Sequence, residues 1–297
     1  MTSLGYSLVI ATFERPRELE EALSSILIQK RPPEETIIID SSRETTTREV
    51  VKSFESRIPL RYEQAVVPSA AMQRNQGARR VKTPLVGFLD DDVVLSPDTC
   101  AELCEVFDRD EKQEVGGVAA RIEGMSHPRP KGLLWLYYRI QAGYPDRTYG
   151  GKLFGPAINC VPCYDESEGR LIRGDWLAST CVFYRRECFI REMFPDFHGY
   201  SSMEDVHLSG RIAKTHTLYF HAKALCEHRD ASSPWKRDPG AMMRMRLRNQ
   251  RLVSREIMGL SGPLLEWKML LHRLFVSVYI LRTRPPGWTD ALIGAWT

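Results

Sequence analysis

The sequence predicts an α/β fold with a mostly parallel central sheet covered by helices on both faces. Three observations carry this. Short apolar runs lack the polar alternation of a half-exposed strand, stretches with helical spacing separate them, and polar or acidic residues end them. The first run is Ser7–Ala11. Pro16 then opens a helix in which Leu19, Ala22, Leu23, Ile26 and Leu27 repeat at helical spacing. Thr36–Asp40 is a second continuous strand, Leu60–Ala65 a third, and a helix is expected from Ser69 to about Arg80. Pro84–Leu89 is a fourth strand and runs directly into Asp90-Asp91-Asp92, after which Ser96-Pro97 caps and opens a further helix. In the second half, Leu177–Tyr184 reads as a strand and Met203–Ala213 as a helix. Two basic or amphipathic helices carry the chain from Gly240 to Pro285-Pro286. Ligands of parallel α/β sheets bind beyond the carboxyl ends of the strands, which is where Thr12, Asp40 and the three aspartates fall.

Composition narrows the class. The 297 residues are 43% hydrophobic and 27% charged, which excludes collagen-like, disordered and disulfide-scaffold chains. A net charge of +3 is too small to imply nucleic acid, and no recognition motif accompanies it. Seven cysteines and an N-terminus without a basic, apolar leader predict reduced thiols and a cytoplasmic protein. Cys160 and Cys163 have zinc-like spacing, but no second pair completes four ligands, so they read as ordinary thiols. The charge is uneven. Seven basic residues lie between Lys236 and Arg255, and the apolar stretch Leu264–Leu281 carries Glu266, Lys268, His272 and Arg273. Such a stretch is too polar to span a bilayer. It is suited to lying on anionic lipid, to packing beside the first domain or to forming a dimer contact.

Three consecutive carboxylates at the end of a buried strand repel one another unless a cation joins them, and their oxygens suit Mg²⁺ or Mn²⁺. Glu204-Asp205 is a second acidic pair at a helix start. There the helix dipole favours negative charge, and a general base for a hydroxyl fits equally. His228 alone is open to roles as a metal ligand, a proton carrier or a core residue.

The order of these pieces matters more than any one of them. Val9-Ile-Ala-Thr-Phe-Glu-Arg-Pro16, Leu23–Gln29, Ile37–Ser42, Arg74-Asn75-Gln-Gly77, Phe88–Val94, Trp176–Phe189 and Ser202–Leu208 with Arg211 follow one another along the chain. Together they resemble the inverting family-2-type glycosyltransferases with the GT-A fold, over roughly residues 5 to 230. The resemblance implies a Rossmann-like catalytic domain over 1–230, with a nucleotide half to about 95 and an acceptor half from 96. A C-terminal helical region follows over 231–297. It places Thr12, Glu14 and Arg15 in the nucleotide pocket, with Asp40 accepting from the base. Asp90 or Asp91 would hold ribose or phosphate, and Arg74 would add positive charge beside the nucleotide. Asp92 would ligate a Mn²⁺ or Mg²⁺ ion, and His228 falls where relatives place a histidine meeting the metal or diphosphate. Asp205 would deprotonate the acceptor hydroxyl with Glu204 orienting it, and Trp176 lies on the acceptor side.

The activity so implied is metal-dependent, inverting transfer of a sugar from a UDP-, dTDP- or GDP-sugar to a hydroxyl-bearing glycan or lipid-linked acceptor. It would serve cell-surface polysaccharide or glycolipid synthesis. A sugar nucleotidylyltransferase needs a glycine-rich phosphate loop near the N-terminus, and Leu8–Arg17 contains no glycine. The remaining rival is a non-catalytic scaffold binding a nucleotide or glycan.

Overall fold

A computed structural model describes residues 3–165, 169–197, 202–229 and 238–297. Lys236 and Arg237 of the basic block, and the junction proposed at 230/231, lie outside the described residues.

The absence of alternation has a direct structural cause. Strand β1 (Tyr6–Thr12) sends Tyr6, Leu8 and Ile10 to one apolar layer and Val9 to the other, so both faces are buried. Strand β2 (Glu35–Asp40) does the same with Ile38 on the first side and Ile37 and Ile39 on the second. Helices α1 (Pro16–Leu27) and α2 (Thr46–Phe54) cover the first face with Leu19, Leu23, Ile26, Val51 and Phe54. After β3 (Leu60–Gln64), helix α3 (Ala70–Ala78) lies on the second face. Here Gly77 is required, because a Cβ would sit 2.4 Å from Cγ1 of Val9.

Strand β4 (Leu85–Asp90) is followed at once by β5 (Val93–Leu95), and the next helix, α4, spans Thr99–Asp108. It therefore starts later than Ser96-Pro97. β5 first pairs with the end of a distant strand, and Asp98 takes the N-cap position. The chain continues through β6 (Val115–Ile122), α5 (Gly132–Ala142), the small hairpin β7 (Leu153–Phe154) and β8 (Ile158–Asn159), and β9 (Leu171–Gly174). Strand β10 covers only Cys181–Arg185, short of the expected Leu177–Tyr184. The preceding residues instead wrap over the start of α7 (Glu204–Ile212), where the Leu177 N–H donates to Ser209 Oγ. Between them lies α6 (Arg186–Glu192). Strand β11 (Thr217–His228) follows, then α8 (Pro239–Glu256), α9 (Gly262–Thr283) and α10 (Trp288–Gly294).

The strand order is β3-β2-β1-β4-β10-β6-β11-β5, with β9 also on β11. Strands β3, β2, β1, β4, β6 and β11 share one direction, while β10, β5 and β9 oppose it. The sheet is thus mostly parallel, with antiparallel β10 wedged at its centre. Helix α8 packs against α7: the Cβ position of Gly210 is 2.6 Å from Ile257, just past α8, and Asn249 Nδ2 donates to the Ser202 carbonyl at 2.8 Å.

Candidate active site

Strand β4 carries the three aspartates to the carboxyl edge of the sheet between β1 and β10. Their mutual repulsion is met by a hydroxyl donor and a cation from neighbouring elements. Thr12, at the end of β1, donates through Oγ1 to Asp91 Oδ2 at 2.8 Å. Arg15, in the N-cap position of α1, spans Asp91 Oδ1 at 2.9 Å and Asp92 Oδ2 at 3.2 Å. Burial pushes the Asp91 carboxyl up to about 6, against the pull of Arg15. Asp90 is also raised by burial, and Arg74 offsets part of that rise.

The antiparallel pairing of β5 with β11 sets His228 opposite Val93, and His228 Nε2 lies 3.2 Å from Asp92 Oδ1. The Arg229 N–H donates to the Asp92 carbonyl at 3.0 Å and closes the same corner. Asp90, Asp92 and His228 can each direct one ligand atom to a common point, with these atoms within 4.8 Å of one another. Two carboxylate oxygens and an imidazole nitrogen suit a divalent ion, and the imidazole favours Mn²⁺ over Mg²⁺. The donor set therefore fits the expected cofactor. Asp90, read from the sequence as a ribose or phosphate contact, stands in this group of three that could hold an ion, whereas Asp91 faces Thr12 and Arg15.

Helix α3 explains the Arg74-Asn75-Gln-Gly77 motif one residue at a time. Asn75 exchanges hydrogen bonds with the backbone of Phe194, both at 2.9 Å, and so clamps the segment after α6. Gly77 permits close packing on β1. Buried Arg74 donates through NH2 to Asp90, and its NH1 lies 3.9 Å from Glu204 Oε1. Its Nε and NH1 have no hydrogen-bond partner among the described residues. A buried guanidinium with unused N–H donors beside carboxylates is ready to donate to phosphate oxygens.

Glu204 and Asp205 form the first turn of α7, entered through Met203 in the left-handed region at φ 78°. Asp205 Oδ1 accepts from the Val206 N–H at 2.8 Å. Ser209 holds this turn by donating to the Asp205 carbonyl while accepting from Leu177. Burial raises both carboxyls, Glu204 to about 8 with the Asp205 charge adding to the rise, and Asp205 to about 6. The pair thus resists holding two negative charges at once.

Three further expected site residues are engaged within the protein itself. Glu14 is exposed at φ 52°, and its backbone N–H, rather than its carboxylate, is engaged, donating to Ser42 Oγ at 2.6 Å. The Asp40 side chain is fully buried and accepts from the Ser42 N–H at 2.8 Å and the Tyr62 hydroxyl at 2.9 Å. Trp176 is in the core: its ring packs edge-on against Phe220 and its Nε1 donates to the Cys160 carbonyl, so the indole supports the fold rather than facing an acceptor. Cys160 and Cys163 join no cluster of three or more metal-ligating groups among the described residues. Ser209, Tyr62 and Asn249 also support the site, through Asp205, Asp40 and the Ser202 carbonyl. Each acts across a tertiary contact and carries no local signal.

Residues 7–166, more than half of the chain, match the model of glycosyl transferase family 2. The chain belongs to this family. Over 95 residues it is 36% identical to a validoxylamine A glucosyltransferase of Streptomyces hygroscopicus subsp. limoneus, covering 31% of this chain and 21% of that protein. The match therefore spans about a fifth of that relative. Among solved structures, a mannosyltransferase of Pyrobaculum calidifontis in complex with GDP-Man and Mn²⁺ superposes with a TM-score of 0.58. It has 15% identity and covers 99% of this chain and 74% of that one. TarS of S. aureus in complex with UDP-GlcNAc gives a TM-score of 0.59 at 12% identity, covering 98% and 79%. These likenesses show that the family-2 chain has the GT-A fold.

Proposed function

We propose that this family-2 chain transfers a sugar from a nucleoside-diphosphate sugar to an acceptor hydroxyl, with inversion at the anomeric carbon. The observation that carries this reading is the placement of Arg74 between two acidic centres, Asp90 with Asp92 and His228 on one side and Glu204 with Asp205 on the other. Asp90, Asp92 and His228 would hold a Mn²⁺ ion, which would neutralise charge on the leaving diphosphate. Arg74, with two unused donors, would bind phosphate oxygens from the opposite side. Thr12 and Arg15 keep Asp91 and Asp92 in position. Asp205 would take the proton of the attacking hydroxyl, and Glu204, held protonated near neutral pH, would donate a hydrogen bond to the acceptor. One carboxylate centre for the leaving group and a separate one for the nucleophile suit a single direct displacement. Asp40 and Glu14 would shape the base pocket through the conformation of the β1–α1 and β2–α2 loops. The printed ligands of the structural neighbours, GDP-Man and UDP-GlcNAc, support a sugar-nucleotide donor. A glycan or lipid-linked acceptor in surface polysaccharide or glycolipid synthesis is the substrate class we favour, in the cytoplasm.

The test is calorimetric titration with UDP, dTDP and GDP, with and without Mn²⁺, on the wild type and Asp92→Asn. Metal-dependent binding of one nucleotide, lost in the variant, is expected, and the anomeric proton coupling of a product made from the matching sugar donor then reports inversion. Failure of every nucleotide to bind would overturn the reading and leave a scaffold.

A further inference from the structure

Helices α5 and α9 pack against each other through Tyr137, stacked on Phe275 with centroids 3.9 Å apart, and through Gln141, whose side chain donates to the Lys268 carbonyl. As α5 advances from Tyr137 to Gln141, its partners on α9 recede from Phe275 to Lys268, so the helices run antiparallel. Each also carries an apolar row that the contact leaves uncovered. On α5 these are Leu133, Leu136 and Ile140; on α9 they include Trp267, Leu274 and Val278, the last 64% exposed. At about 3.6 residues per turn, both rows are rotated by about a quarter turn in the same sequence sense from their helix's contact residues. With antiparallel axes, that places them on one common side. Two helices thus present a single apolar face, where scattered exposed apolar residues would be ordinary.

The charges around this face choose its occupant. No acidic residue lies between Glu123 and Asp146, while Lys131 and Arg139 flank the α5 row. At the far end of α9, Arg282 and Arg284 are exposed, and the one acid of that helix, Glu266, is ion-paired with Arg251. A second copy docking through the same face would bring cations against cations. An anionic lipid surface answers both the apolar row and its basic border. Among the described residues no helix is long and apolar enough to cross a membrane, so the geometry is that of a helix pair lying in the headgroup region. The chain enters α5 from the carboxyl end of β6, the same edge of the sheet that carries Asp90 at the end of β4.

We propose that the α5–α9 face docks the protein on anionic membranes. This does not rest on the transferase reading. The full-length protein is sedimented with vesicles of phosphatidylcholine alone and of phosphatidylcholine with phosphatidylglycerol at low salt, beside Trp267→Glu, Val278→Glu and Arg282→Glu. The wild type is expected to pellet with the anionic vesicles, and each variant to pellet about tenfold less or weaker still, with unchanged thermal melting and nucleotide binding. Wild type remaining in the supernatant, or variants pelleting as wild type does, would overturn the proposal. So would a concentration-dependent dimer in analytical ultracentrifugation that Val278→Glu dissolves, since a second copy would then be the occupant.

Discussion

His228 Nε2 lies 3.2 Å from Asp92 Oδ1, although one residue follows β4 and the other ends β11, far along the chain. The link is the three-residue strand β5, which leaves the aspartates and pairs at once with the end of β11. A first prediction follows from this corner. His228→Ala should weaken Mn²⁺-supported nucleotide binding by about tenfold or more while leaving the fold intact, because a partly exposed imidazole is removed. Calorimetry in Mn²⁺ and Mg²⁺ checks it, and the loss should be larger in Mn²⁺. Equal affinity of variant and wild type would remove His228 from the ligand set.

The roles assigned to the two acidic centres are separable. Asp205→Asn should keep nucleotide and metal binding but lower kcat by about 10²–10⁴-fold, the usual weight of a general base. Steady-state kinetics beside nucleotide titration reads both quantities. A variant that loses nucleotide affinity with its turnover unchanged would contradict the assignment.

The pH profile is the third prediction. Asp205 is raised to about 6 and works deprotonated, so kcat should fall as pH drops through that value. Stability should move the other way. Glu204 binds its proton more tightly in the fold than in the unfolded chain, at about 8 against an ordinary 4.5, so its burial costs stability increasingly as pH rises between those values. Glu204→Gln should therefore melt higher than the wild type at pH ~8 and show little difference at pH ~4, checked by calorimetric melting.

Asn249 tests the coupling of the C-terminal helices to the site. Its side chain, 2% exposed, holds the Ser202 carbonyl just ahead of Glu204. Asn249→Ala should cost about 1–3 kcal/mol of stability. It should also lower kcat while leaving the donor KM near wild type. A fall in stability alone would reduce it to a structural residue.

Gly77→Ala places a Cβ 2.4 Å from Val9 and should cost about 1–3 kcal/mol by overpacking, read from denaturant midpoints at constant slope.

The amino-acid sequence by itself determined the layering. Uninterrupted apolar runs such as Val9–Ala11 and Ile37–Ile39 demand burial on both faces, and Pro16 and the helical repeat after it demand a covering helix. It also determined that acids stand at strand ends, since Asp90-Asp91-Asp92 directly follows Leu89. The tertiary structure decided the rest. Strands β6 and β11 were missed because Gly116, Gly117 and the irregularity between His221 and Leu225 erase any period, and their place is dictated by packing against Tyr184 and Ile212. The amphipathic character of α9 was legible, but not the partnership with α5 that turns it into part of a face. Trp176 looked like a site residue from its neighbours in sequence, yet the turn after β9 buries it on Phe220. Local chemistry sets which residues are able to form a centre. Which of them meet depends on strand pairing over long separations, and no short-range pattern encodes that.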